Sequence, residues 1–195
     1  MSVATASEKK LLTAEEFADF VDQPENSDRW FELVRGEVIE LPPPMKIHGV
    51  VCMNTGSQLH AYTRTRRMGY VTCNDSGVIL ERDPDTVRGP DVALYEDAQK
   101  WSELHPKYGE VPPRLAVEVL SPNDKQGQVM KKIEDYLNNG VEIVWLVDPE
   151  SRNVTVFRPK QQPTVVDEGK DLTGYDILPD LKVPVAALFW MPEGA

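Results

Sequence analysis

Cysteine is scarce in this chain: Cys52 and Cys73 are the only two among 195 residues. They fall in separate expected elements without metal-ligand spacing. That argues against a disulfide framework or a zinc cluster and for free thiols in a reducing compartment. Long apolar runs are missing too, and none approaches the ~20 residues needed to cross a bilayer. Met1 to Lys10 is polar, with no apolar core or cleavage-like site, so no secretory signal is expected. The sequence therefore predicts a cytoplasmic protein with no membrane partner. Positive charge is also in short supply, with 21 Lys and Arg against 32 Asp and Glu and a net charge of −11. Lys and Arg drive nucleic-acid binding by neutralising phosphates, so this balance opposes tight non-specific binding of DNA by a monomer. Local basic groups remain, at Arg64, Arg66 and Arg67 and at Lys125, Lys131 and Lys132.

What is present suits one well-cored domain over 12–191, preceded by a polar tail over 1–11, with ordinary hydrophobic and charged fractions of 41% and 27%. Thr13-Ala14-Glu15-Glu16 reads as a capping box, starting a short helix that runs to about Val21. Trp30 to Val34 and Val38 to Leu41 flank an Arg35-Gly36-Glu37 turn, and Pro42-Pro43-Pro44 ends the second strand because it lacks N–H donors. A helix is expected over His48 to Arg67, with Val51, Leu59 and Tyr62 inward and Gly69 as its stop. Short strands follow at Tyr70 to Val71, Val78 to Leu80 and Val92 to Tyr95, separated by turn residues. Glu96 to Glu110 reads as a loop or helical excursion. Leu115 to Leu120, a helix from about Lys125 to Asn139 closed by Gly140, and Ile143 to Val147 form a βαβ unit, which implies parallel neighbours. Val154 to Arg158, Thr164 to Val166 and Ile177 to Leu178 are expected to add antiparallel strands. The fold class is α/β: a mixed sheet flanked by helices, with additional antiparallel strands.

Two acids carry the chemical signal. Glu118 interrupts the apolar run Leu115 to Leu120, where an unpaired ionised group costs several kcal/mol. Asp91 follows Gly89-Pro90 at the start of another strand. A hard cation shared by the two would compensate both charges, and Mg²⁺, with Mn²⁺ as an alternative, suits oxygen ligands and keeps bound waters. Metal-dependent hydrolysis of phosphate esters follows from that pairing. The plainer alternatives are turn chemistry for Asp91 and a solvent-facing edge position for Glu118.

Helical phase supplies a third group. Val129, Ile133, Tyr136 and Leu137 make the apolar stripe, and at about 100° per residue Lys132 falls roughly 80° from its centre while Lys131 points away. Lys132 can thus run its stem along the sheet and bring its ammonium to the strand end, unless it only snorkels to solvent. Gln128 lies on the same flank.

The ordered set Pro90-Asp91, Glu118-Val-Leu-Ser-Pro, Lys132, Tyr136, Gly140-Val141 and Val144-Trp-Leu-Val-Asp-Pro149, with Phe31-Glu-Leu-Val-Arg-Gly-Glu37 upstream, resembles the Uma-two family of restriction endonucleases. That family belongs to the PD-(D/E)XK nuclease superfamily. The resemblance spans Leu12 to Phe189. It implies a restriction-endonuclease-like core, Mg²⁺ dependence, DNA as substrate and a homodimer. It also implies Asp91 and Glu118 as metal ligands and Lys132 as the catalytic lysine, displaced to the helix because Leu120 occupies the superfamily's usual position. Glu32 matches an early glutamate that approaches the metal through water, the alternative being a strand-face residue paired with Arg35. His48 is either a phosphate contact or proton shuttle, or a simple helix-start residue. Ser121 either fixes the carboxylate or caps the following turn, and Gln128 stands where the family often has an acid. The expected function is a Mg²⁺-dependent endonuclease using a metal-activated water. The competing expectations are a catalytically inactive dimeric binding module of the same fold, which the acidic charge favours, and an enzyme acting on a smaller phosphate substrate.

Overall fold

A computed structural model of the protein describes residues 10–97 and 100–192. The expected polar tail therefore lies outside the described residues, apart from Lys10 and Leu11. The first helix, α1 (Ala14–Val21), carries the anticipated capping box: the Thr13 hydroxyl accepts from the Glu16 N–H while the Glu16 carboxylate accepts from the Thr13 N–H. Its Phe17 and Ala18 are buried.

Strands β1 (Trp30–Val34) and β2 (Glu37–Leu41) form the expected hairpin. Its two turn residues, Arg35 and Gly36, have φ of 50° and 77°, as a type I′ turn requires. A Cβ on Gly36 would meet the Leu11 Cβ at 2.6 Å, so glycine is needed for space as well as for conformation. Helix α2 (Lys46–Arg66) buries Val51, Thr55, Leu59 and Thr63 along one stripe. It stops one residue earlier than expected. Arg67 takes the left-handed conformation at φ 54°, so Arg67, rather than Gly69, breaks the helix.

Four short strands come next: β3 (Tyr70–Cys73), β4 (Val78–Glu81), β5 (Thr86–Arg88) and β6 (Val92–Tyr95). The sequence did not announce β5, whose three residues sit between turn-forming Asp83-Pro84-Asp85 and Gly89-Pro90. Among its described residues, the segment between β6 and β7 is irregular apart from one turn of 3₁₀ helix at Trp101–Glu103 and a bridge from Gly109 to Val78. Then β7 (Leu115–Val119), α3 (Gln126–Asn138) and β8 (Ile143–Asp148) make the βαβ unit, with β7 and β8 parallel from Leu115↔Ile143 to Val119↔Val147. Gly140, at φ 97°, follows the end of α3.

The chain finishes with β9 (Asn153–Phe157), β10 (Thr164–Asp167), β11 (Asp171–Thr173), β12 (Lys182–Pro184) and the single turn α4 (Val185–Leu188). Ile177 and Leu178, expected as a strand, lie instead in a turn between β11 and β12. The Leu178 N–H bonds back to the Gly174 carbonyl at 2.9 Å, which a strand could not do.

The strands make one six-stranded mixed sheet in the order β10-β9-β8-β7-β6-β3, one four-stranded antiparallel sheet in the order β2-β1-β5-β4, and the β11-β12 pair. Helices cover both faces of the larger sheet. Val51 and Leu59 of α2 share a core with Leu115, Val117 and Val119, whereas Ile133 and Tyr136 of α3 pack with Ala116 and Val144. Side chains alternate along a strand, so the residues of β7 that face α3 are Ala116 and Glu118. That alternation directs the one acid of β7 toward the helix that carries the lysine.

Candidate active site

β7 lies inside the six-stranded sheet, and all five of its residues are buried, so Glu118 does not occupy a solvent-facing edge. The β6–β7 register pairs Val92 with Val117, and its continuation sets Asp91 beside Glu118. The pairing is tied off at its end: the Asp91 Oδ2 accepts the Val119 N–H at 2.6 Å. Its Oδ1 lies 3.1 Å from Nε2 of His48, in the first turn of α2. Burial would push the Asp91 carboxyl up, but the His48 hydrogen bond, the Lys132 charge and the Val119 N–H together hold it below the ordinary range.

Lys132 reaches this place as its helical phase requires. Its Nζ lies 2.8 Å from Glu118 Oε2 and 3.0 Å from Glu32 Oε1, and donates to the Gly89 carbonyl at 2.9 Å. The ammonium therefore has three oxygen partners, matching its three donors. Burial works against its charge, but Glu118, Glu32 and Asp91 outweigh that effect and raise its pKa. Glu118 holds its other oxygen on the Tyr136 hydroxyl at 2.7 Å. Even so, burial pushes the Glu118 carboxyl up to about 8, because Lys132 only partly offsets the desolvation while Asp91 and Glu32 add repulsion. Lys131 is exposed.

Glu32 does not pair with Arg35. Its Oε2 takes the Arg88 guanidinium at 2.6 Å, and its Oε1 accepts the Gly89 N–H at 3.0 Å as well as facing Lys132. Arg88 in turn holds Asp135 of α3 through Nε at 3.0 Å and Nη2 at 2.6 Å. The carboxylate of Glu32 is thus engaged on both oxygens by basic or N–H groups. It holds Lys132 and the Gly89 backbone in place.

Asp75, Arg88, Asp135 and Tyr136 belong to this constellation although sequence reasoning gave none of them a polar role. Asp75 lies in a turn run and is raised to about 6 by burial and by the neighbouring Asp91 charge. Tyr136 read only as core, and its hydroxyl left no trace in the hydrophobic pattern. Arg88 and Asp135 are ordinary charged residues in sequence; only Glu32, an acid in an apolar strand, could have prompted a search for a cation. Ser121 lines the cleft at its upper end, and its N–H bonds the Asp124 carboxylate at 2.7 Å, in keeping with a turn-forming role. Gln128 is exposed on the cleft rim.

The cleft above these residues encloses about 450 Å³. Asp91 and Glu118 are the oxygen donors suited to a hard divalent ion. Their fit to one rests on the cluster of buried acids: Glu118 and Asp75 are both raised by burial and by neighbouring carboxylates, which Lys132 offsets only in part. His48, Cys52 and Asp91 also present ligand atoms within 4.8 Å of one another. Burial pushes the Cys52 thiol up, so it stays protonated and is a poor ligand for Mg²⁺, though a softer ion could deprotonate it. No helix among the described residues is long and apolar enough to cross a membrane.

Comparison with known proteins bears on the fold and the family. A putative nuclease belonging to DUF820 from Anabaena variabilis, known from its crystal structure, superposes with a TM-score of 0.76 at 22% identity, covering 91% of this chain and 97% of its own. It establishes the mixed α/β nuclease-like fold. No curated protein sequence matches the chain. The Uma2 family model, described as "Putative restriction endonuclease", matches residues 15–186. With β1, β6, β7 and α3 all inside that match, the chain belongs to the Uma2 restriction endonuclease family.

Proposed function

We propose that the protein is a Mg²⁺-dependent endonuclease that hydrolyses DNA phosphodiester bonds. The observation that carries the reading is the convergence of Asp91, Glu118 and the Lys132 ammonium at the base of one cleft, with Nζ 2.8 Å from Glu118. Asp91 and Glu118 would hold the cation, Mg²⁺ or Mn²⁺. Bound there, it supplies Lewis acidity toward a phosphate and lowers the pKa of an attacking water. The protein's own residues do the rest. His48 and the Val119 N–H orient Asp91, and Tyr136 orients Glu118. Lys132, kept charged by its acids, places a positive charge at the base of the cleft, where it favours the charge that develops on the phosphate. Glu32, held by Arg88, fixes the lysine.

The homodimer implied by the family resemblance belongs to the same proposal and is checked by light scattering. The net charge of −11 supports the second reading, a non-catalytic binding module. The test is cleavage of single- and double-stranded DNA with Mg²⁺ or Mn²⁺, alongside cation titration of the wild type, Asp91→Ala and Glu118→Ala. Cleavage that disappears in both variants and in Lys132→Met supports the endonuclease. Absent cation binding, or binding unaffected by both alanines, sinks the metal site. Cation binding without cleavage leaves the binding module.

A further inference from the structure

The cleft has two unlike sides. One carries the acids, Lys132 and the loop leading into α3. The other is the inner face of the β1–β2 hairpin. Trp30, Glu32 and Val34 alternate onto one face of β1, and Ile39 and Leu41 stand directly across from Glu32 and Trp30 on β2. Glu32, at the centre of that face, reaches the Lys132 ammonium at 3.0 Å. Trp30 is the next residue outward on the same face, yet it remains 39% exposed in a position lining the cleft. An indole left open one strand repeat from Glu32, whose carboxylate holds the Lys132 ammonium, offers a flat apolar surface beside a charge site. The occupant must then carry a planar apolar part and an anionic part joined by a short link.

Three further observations narrow the occupant. A volume of about 450 Å³ is that of a pocket for one drug-sized group, which fits a nucleotide or two. A specific duplex complex instead covers about 1,000–2,500 Å² of strongly basic protein surface. A chain of net charge −11 is poorly provided for that, whereas stacking on an aromatic ring needs no broad basic face. Last, Pro42, Pro43 and Pro44 continue the apolar wall beyond Leu41, with backbone that is rigid before anything binds.

We infer that the cleft takes an unpaired nucleotide of single-stranded DNA, its base stacked on Trp30 and its phosphate directed to Asp91, Glu118 and Lys132. This rests on the endonuclease reading for the phosphate end, while the stacking end stands independently. Trp30 acts in substrate selection. It favours strands whose bases are already free over duplex, where unstacking must be paid for first.

The test measures binding of a fluorescein-labelled single-stranded 12-mer and of its duplex, with Ca²⁺ in place of Mg²⁺ to keep the strand uncut. A separate Mn²⁺ titration without DNA reads the metal site. The wild type is expected to bind the single strand at least tenfold more tightly than the duplex. Trp30→Leu, which keeps an apolar strand residue but removes the ring, should weaken single-strand binding by about 5- to 150-fold, the range for one stacked base. Trp30→Phe should retain binding to within a few-fold, and both variants should bind Mn²⁺ as the wild type does. Equal affinity for single strand and duplex, no detectable binding of either, or unaltered single-strand binding in Trp30→Leu would overturn the inference. Failure of Mn²⁺ to bind, with the Trp30 effect intact, would instead count against the metal site alone.

Discussion

The six-stranded and four-stranded sheets both send acids into the cleft, but they treat them differently. Glu118, from β7, is raised to about 8 because burial and the nearby carboxylates outweigh Lys132, whereas Asp91, just before β6, is held below the ordinary range by His48, Lys132 and the Val119 N–H. Glu32, from β1, is fully countered: Arg88, the Gly89 N–H and Lys132 outweigh its burial and hold its pKa below the ordinary glutamate range. The larger sheet thus holds one acid, Glu118, whose partners fall short, and the smaller sheet holds an acid fully engaged by its partners. The difference teaches that burial alone does not single out a proposed metal ligand. Glu118 stands out by its uncompensated charge, and Asp91 by its place beside Glu118.

Removing an acid from the larger sheet should have the greatest effect. Asp91→Ala is expected to lower cleavage by about 10³-fold or more, since the bound ion is worth several kcal/mol of charge stabilisation. Cation affinity should collapse in the same variant, read by calorimetric titration. Breaking the smaller sheet's contribution should appear in stability instead. Arg88→Ala leaves Glu32 and Asp135 without their guanidinium and is expected to cost about 3–5 kcal/mol in denaturant unfolding. If Arg88→Ala abolished cation binding in a protein that stayed folded, the proposed division between the sheets would fail.

Two smaller effects sharpen the comparison. His48→Ala and Tyr136→Phe each remove a group that orients a proposed ligand, and about 10- to 100-fold lower cation affinity is expected from each. Affinity should also follow pH. A proton on Glu118 competes with the ion, so binding should strengthen as pH rises to about 8 and level off above it. The sign for stability is the reverse. A carboxyl raised from 4.5 in the fold stabilises the ion-free protein most at pH below 4.5, and that contribution is lost as pH climbs toward 8. Thermal unfolding with and without Mn²⁺ across that window checks both signs. The smallest effect belongs to Lys131→Ala, which should change stability by no more than about 0.5 kcal/mol because the side chain is exposed.

Much of this was legible in the sequence where a single element decides. The capping box of α1, the hairpin turn and the βαβ unit follow from local chemistry and period. The direction of Lys132 also did, because four apolar residues fix the rotation of α3. What stayed hidden depends on partners far apart in the chain. Arg88 meets Glu32 and Asp135 only after three elements converge, and nothing in the neighbourhood of any of them announces it. The three-residue β5 escaped notice because Asp83-Pro84 and Gly89-Pro90 dominate its surroundings. Ile177 and Leu178 looked like a strand because they are apolar, while their backbone N–H groups were committed to a turn.

The placing of Lys132 on α3 has a consequence for when the cluster is complete. Lys132 needs Glu32 from the first hairpin and Glu118 from the middle of the larger sheet before its ammonium is held. A partly synthesised chain that ends before α3 contains both proposed ligands but no lysine to complete them. The cluster is therefore assembled only once the crossover through α3 has been added, and loss of tertiary structure takes it apart at once.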